Sequence, residues 1–106
     1  MAIAKKNSFS GEDIRVADFA KSISHPARIQ ILRYLAKNKS SSCGELVDFL
    51  PLSQSTVSQH LLELKKVGII RANQLGPQMN YYIDISEGIR AFSNLNDFFN
   101  CIVYRK

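Results

Sequence analysis

Pro51 and Gly68 punctuate the stretch from Ser42 to Ile70 so sharply that it has room for two short helices and little else. Ser42 to Glu45 reads S-x-x-E, a capping box in which the hydroxyl and the carboxylate each satisfy a free backbone amide. The helix it opens carries Cys43, Leu46, Val47 and Leu50 on one face, and Pro51 closes it. After the tight Leu50-Pro51-Leu52 turn, Ser53 is the expected N-cap of the next helix, with Val57, His60, Leu61 and Leu64 as its buried stripe and Gly68 as its end. Two short helices joined in this way form a helix-turn-helix.

The flanking segments complete the pattern. Val16, Phe19, Ala20 and Ile23 recur at helical spacing, and that first helix must end before His25-Pro26, because proline pushes the residue before it out of the helical region. A second helix from Pro26 turns Ile29, Ile31, Leu32, Leu35 and Ala36 inward and Arg28, Gln30, Arg33 and Lys37 outward. Ile69 to Gln74 and Asn80 to Ile85 read as strands joined by the turn residues Leu75-Gly76-Pro77-Gln78. Ser86 is the expected cap of a last helix containing Ile89, Phe92, Leu95, Phe98, Phe99, Ile102 and Val103. The fold class is therefore mainly α with a small β-hairpin, a winged helix-turn-helix of five helices plus wing. Residues 1–10 are expected to be a flexible tail, and 11–106 a single winged-helix domain for DNA binding and dimerisation, as suits a chain of 106 residues.

Ser53, Gln54, Ser55, Thr56, Ser58 and Gln59 crowd the first turns of the fourth helix. Hydroxyl and amide side chains are mediocre helix formers and only one is needed as a cap. In a major groove the same residues have a use: Gln pairs with adenine, Ser and Thr reach base edges or phosphates, and small side chains let the helix come close. The charge agrees. The chain carries a net +5, and from His25 to Arg71 seven Lys or Arg face only Glu45, Asp48 and Glu63. Lys65, Arg71, Arg28 and Lys39 are the candidate phosphate contacts, with Gln78 and Asn80 the wing's polar candidates because its tip has no charge. The expected partner is double-stranded DNA. The competing non-enzymatic readings are a protein-binding winged helix, whose polar helix face is merely solvated, and a thiol-redox or small-molecule sensor using Cys43 and Cys101.

Taken together, H-P-x-R-x-x-I-L-x-x-L from His25, E-L-x-x-x-L from Glu45, S-Q-S-T-V-S-Q-H-L-x-x-L-x-x-x-G-I-I from Ser53 and the returning Tyr81-Tyr82 resemble the ArsR family of bacterial winged-helix repressors, over residues 24 to about 86. The resemblance implies a homodimer on a palindromic operator, released by an inducer it does not identify, with the flanking helices as dimerisation elements. Val16, Phe19, Ile23, Phe92, Leu95, Phe98, Phe99 and Ile102 are the residues expected at that interface. Arsenic and cadmium sensors of the family carry C-x-C where this chain has Ser42-Cys43-Gly44, and its zinc sensors use Asp and His pairs on a last helix that here has no histidine. No metal and no cofactor are therefore expected.

The remaining residues have ordinary readings. Cys43 and Cys101 fit no disulfide framework and are expected as small buried hydrophobes in a reducing, cytoplasmic compartment. His25 and His60 are expected to be structural. There is no signal-like segment, no membrane-length apolar run, and no nucleophile with a base, so neither a membrane partner nor an enzyme is expected.

Overall fold

The computed structural model describes residues 8–104. Their elements are α1 (Gly11–Ser22), α2 (Pro26–Asn38), β1 (Ser41–Ser42), α3 (Cys43–Phe49), α4 (Gln54–Lys66), β2 (Ile70–Leu75), β3 (Gln78–Ile83) and α5 (Ile85–Val103). Each helix starts on a side-chain acceptor that satisfies a backbone amide of the first turn: Ser10, His25, Ser42, Ser53 and Asp84 in turn. The Ser42–Glu45 capping box is complete, the hydroxyl accepting from the Glu45 amide and the carboxylate from the Ser42 amide. For α5 the cap is Asp84 and not Ser86, which corrects the expectation from sequence. Asp84 Oδ1 accepts both the Glu87 amide and the Ser86 hydroxyl, and its other oxygen holds Arg71.

The core is built from the faces that periodicity marks. Ile31 and Leu35 of α2, Leu46 and Leu50 around α3, Val57, Leu61 and Leu64 of α4, and Ile69 and Ile70 entering β2 form one cluster. Each fully buried aliphatic side chain contributes roughly 1.5–3 kcal/mol. On α2 the deepest stripe is Ala27, Ile31 and Leu35, whereas Ala36, expected inward, is exposed. Ala36 lies about 100° round the helix from Leu35, off the i, i+4, i+8 stripe.

Gly68 turns the chain from α4 into β2 at φ +82, a conformation a side chain would strain. The hairpin is tighter than expected. Leu75 pairs directly with Gln78, so only Gly76 (φ +60) and Pro77 form the turn, and the pairing runs back to Ile70 opposite Ile83. A third strand, absent from the sequence reading, lies on the other edge: Ser41 and Ser42 pair antiparallel with Tyr81 and Asn80, giving the order β1-β3-β2. This ties the start of α3 to the wing.

α5 packs against α1 and buries none of its residues fully. Among the described residues no helix is long and apolar enough to cross a membrane. The expected tail at 1–10 lies mostly outside the described residues, and Ser10 within it is the α1 cap.

Candidate nucleic-acid interface

The first two turns of α4 present the expected polar cluster to solvent. Gln54, Ser55, Thr56, Ser58 and Gln59 are all exposed, while Val57, His60, Leu61 and Leu64 on the opposite face are buried. The hydroxyls at the start of the helix are already organised. Ser53 Oγ accepts the Thr56 amide at 3.3 Å and lies 3.0 Å from Thr56 Oγ1 and 3.3 Å from Ser55 Oγ. Gln54 projects with no side-chain partner among the described residues, whereas Gln59 Nε2 donates to Glu63 Oε2 at 3.2 Å. That exposed bond leaves the Gln59 carbonyl oxygen available and is readily exchanged. Ser58 Oγ lies 3.5 Å from Cys43 Sγ, so its hydroxyl faces α3 as well as solvent.

The basic residues divide into two groups. Lys39 and Lys65 are exposed and unpaired among the described residues. Arg71 is exposed but bonded to Asp84, and it lines one shallow cleft with Lys65 at the junction of α4 and β2. The pairing holds the Asp84 carboxyl below its ordinary range, chiefly through the Arg71 hydrogen bond and then the Glu87 amide. Arg28 is committed internally: its Nε donates to His60 Nδ1 at 3.1 Å and its Nη1 to the carbonyls of Lys21 and Ser22, both at 3.2 Å. Sequence gave Arg28 as a phosphate contact; the fold turns its guanidinium toward the end of α1 and the buried side of α4.

At the wing, Gln78 is exposed beside the turn, and Asn80 lies further down the sheet, half-buried opposite Ser42 and Asn73. Gln74 Nε2 closes the turn by donating to the Gly76 carbonyl at 2.9 Å. Leu75 and Met79 are the exposed apolar residues of the tip.

His60 is packed, as expected, while His25 is exposed and serves as the α2 cap. His60 is 7% exposed and its ring stands 4.5 Å from that of His25. Burial, then the nearby His25 and Arg28, lower its pKa from the usual 6.5, so the neutral ring that Arg28 requires as an acceptor is favoured. The link between Arg28 and His60 was not legible in sequence, since a contact between residues so far apart has no periodic signature. Cys43 is half-buried beside Ser58, and Cys101, expected as a buried hydrophobe, is exposed on α5. The last turns of α5 have no packing partner in the single chain, and residues 96–104 are all exposed, Cys101 with them. Among the described residues no three His, Cys, Asp or Glu side chains are grouped as a metal site would require.

On α5, Ile85, Ile89, Phe92, Phe98, Phe99, Ile102 and Val103 form an apolar surface open to solvent. Val16 and Leu95 are half-buried, and Phe19 and Ile23 pack partly onto the core. Ile85, Ile89 and Val103 extend this surface beyond the residues expected at the interface from sequence.

The model of the bacterial regulatory protein arsR family matches residues 25–72. Over 69 residues the chain is 39% identical to an HTH-type transcriptional regulator of Methanocaldococcus jannaschii, covering 65% of this chain and 78% of that protein. It is 34% identical over 68 residues to the transcriptional repressor PagR of Bacillus anthracis, covering 64% and 68%. The crystal structure of an ArsR-like transcriptional regulator from Rhodococcus sp. RHA1 has a TM-score of 0.77 over 91% of this chain and 90% of that one, at 22% identity, a likeness of fold.

Proposed function

Because the chain belongs to the arsR family of bacterial regulatory proteins, and is thus a DNA-binding transcriptional regulator and not an enzyme, we propose that it represses by gripping a palindromic operator as a homodimer and lets go when an inducer binds. The observation that carries this is the start of α4, where six small polar side chains stand outside a buried apolar stripe, with the unpaired Lys65 at the far end of the same helix. The PagR relative, itself named a repressor, supports the sign of regulation.

In this reading Gln54, Ser55, Ser58 and Gln59 read base edges, each glutamine able to form two hydrogen bonds to adenine worth about 1–3 kcal/mol of discrimination. Ser53 and Thr56, with their hydroxyls at a helix N-terminus, take a phosphate. Lys39 and Lys65 neutralise phosphates, and Arg71 joins them if it gives up Asp84. Gln78 and the wing tip approach the adjacent groove, with Asn80 behind them. The apolar face of α5 with Val16 of α1 is the twofold interface, which sets the spacing of the two reading helices. A cytoplasmic site follows, where DNA and reduced thiols coexist.

The test is fluorescence anisotropy with DNA from upstream of the protein's own gene and with random DNA. Gln54→Ala and Gln59→Ala should each lower the operator-to-random affinity ratio by roughly tenfold while keeping the salt slope. Lys65→Ala should weaken both DNAs alike and reduce the slope by about one unit. Unchanged ratios in both glutamine variants would leave α4 a solvated face and favour the protein-binding reading, toward which the uncharged Leu75 and Met79 wing tip already leans.

A further inference from the structure

Arg28 and His60 join three helices at one point. Arg28 lies in the first turn of α2, its Nη1 donates to the carbonyls of Lys21 and Ser22 at the end of α1, and its Nε donates to His60 Nδ1 on α4. The Lys21 carbonyl also accepts the Ser24 amide and hydroxyl, whereas among the described residues the Ser22 carbonyl accepts only from Arg28, so the guanidinium completes the end of α1 while it holds α4. His60 stands one position after Gln59, on the buried side of the helix whose outer side is read. We propose that Arg28 and His60 form a positioning clamp, which fixes the reading helix against the end of α1 and which acid opens by protonating His60. The inference rests on the operator-binding reading above and adds to it a residue pair that touches no DNA.

The chemistry is directional. Nδ1 of His60 accepts the Arg28 hydrogen only while it carries no proton. A proton there removes the acceptor and sets a second cation against the guanidinium, inside a site where the ring is nearly out of solvent. The neighbours offer no relief. His25, whose ring lies tilted at 47° with its centre 4.5 Å away, uses its own Nδ1 to accept the Ala27 amide as the α2 cap. Glu63, one turn further along α4, is engaged by Lys66 and Gln59. Asp18 and Lys21 of α1 line the cleft beside Glu63 and Lys66, a set of mixed charge. The lowered pKa of His60 has the same origin, burial first, then His25 and Arg28. Losing the His60 acceptor releases α4 from an Arg28 whose Nη1 still holds the α1 carbonyls, so the tie between the two helices is cut at its α4 end.

The sign separates this clamp from general electrostatics. Acidification makes the protein more positive and by itself tightens any DNA complex, whereas an opened clamp loosens the specific one. The experiment measures affinity for operator and random DNA from about pH 8 down to the lowest pH at which the far-UV circular dichroism stays native, at fixed ionic strength. Wild type should lose operator-to-random ratio by roughly tenfold, the size expected for losing a hydrogen bond to a charged group. His60→Gln, which keeps an acceptor but cannot titrate, should show a ratio independent of pH, and His25→Asn, which keeps a capping side chain, should still lose ratio in acid. Arg28→Lys should lower the ratio already at pH 8, because one ammonium cannot reach both α1 and the ring. Wild type that binds operator at pH 8 with a ratio unchanged in acid overturns the clamp, as does a His60→Gln protein as acid-sensitive as wild type. Wild type that binds neither DNA at pH 8 overturns the regulator reading instead.

Discussion

Truncating Phe99 tests the proposed twofold assembly. Its side chain is 60% exposed on α5, beside Phe98 at 50% and Ile102 at 54%. With about 200 Å² for a phenylalanine side chain, roughly 120 Å² is open to a partner. At about 25 cal/mol per Å², complete burial contributes about 3 kcal/mol from each copy and about 6 kcal/mol from the pair. Half of that burial is a cautious figure, since area bookkeeping gives upper values. Phe99→Ala should then raise the dimer dissociation constant by at least about 100-fold. No fully buried residue lies on α5, so the monomer's core is untouched and its far-UV circular dichroism should stay native. Sedimentation velocity across the micromolar range reads the dissociation constant directly, and operator binding should become steeply dependent on protein concentration in the variant. A wild-type chain that sediments as a monomer at micromolar concentration refutes the assembly and the palindromic operator with it. A Phe99→Ala dimer as tight as wild type refutes the choice of face.

Three further perturbations separate stability from recognition. Lys39 ends α2 at φ 71 and ψ −39, a backbone conformation that costs a side chain strain, so Lys39→Gly should stabilise by up to about 1 kcal/mol in a melting curve while weakening operator and random DNA equally through a lost phosphate contact. The Asp84 carboxyl is held below its ordinary 3.8 by Arg71 and the Glu87 amide. Its stabilisation is therefore present above 3.8 and lost as pH falls through the folded value, and Asp84→Asn should flatten the dependence of melting temperature on pH across that acid range. Chelator should leave operator affinity unchanged, and a stoichiometric zinc or cadmium that weakened binding in an anisotropy titration would show that His25, Cys43, His60 or Cys101 had been misread.

What the sequence makes legible here is what short-range chemistry determines. The capping box at Ser42, the Ser53 cap, Pro51 and Gly68 act within one turn of the chain, and they set the helix-turn-helix without tertiary information. Asp84 was passed over for Ser86 because both are good caps two positions apart, and the choice is made by Arg71 thirteen residues away. The two-residue β1 carries no alternation to detect, since its pairing with Tyr81 and Asn80 is supplied entirely by the far strand. Charge was legible as composition but not as availability. Arg28, Lys39, Lys65 and Arg71 look alike in sequence, yet one is bonded to α1 and α4, one is ion-paired, and two are unpaired.

That last distinction bears on how recognition is divided. The chain's net charge of +5 overstates what the proposed reading surface can offer to phosphates, because Arg28 is held inside, Arg71 is held by Asp84, and the wing tip of Leu75, Gly76, Pro77, Gln78 and Met79 has no charge. Each phosphate neutralised contributes about 0.9 to the salt slope, so two unpaired lysines per copy supply only a modest sequence-independent attraction. A protein with little nonspecific affinity finds its site through base contacts, and in the proposed reading those fall on Gln54 and Gln59, whose value depends on the angle at which α4 enters the groove. A tilt too small to disturb a lysine on a phosphate is enough to break a two-bond glutamine pair. This is why a clamp on the buried side of α4, one residue from Gln59, has leverage over specificity that it could not have in a regulator held to DNA mainly by charge.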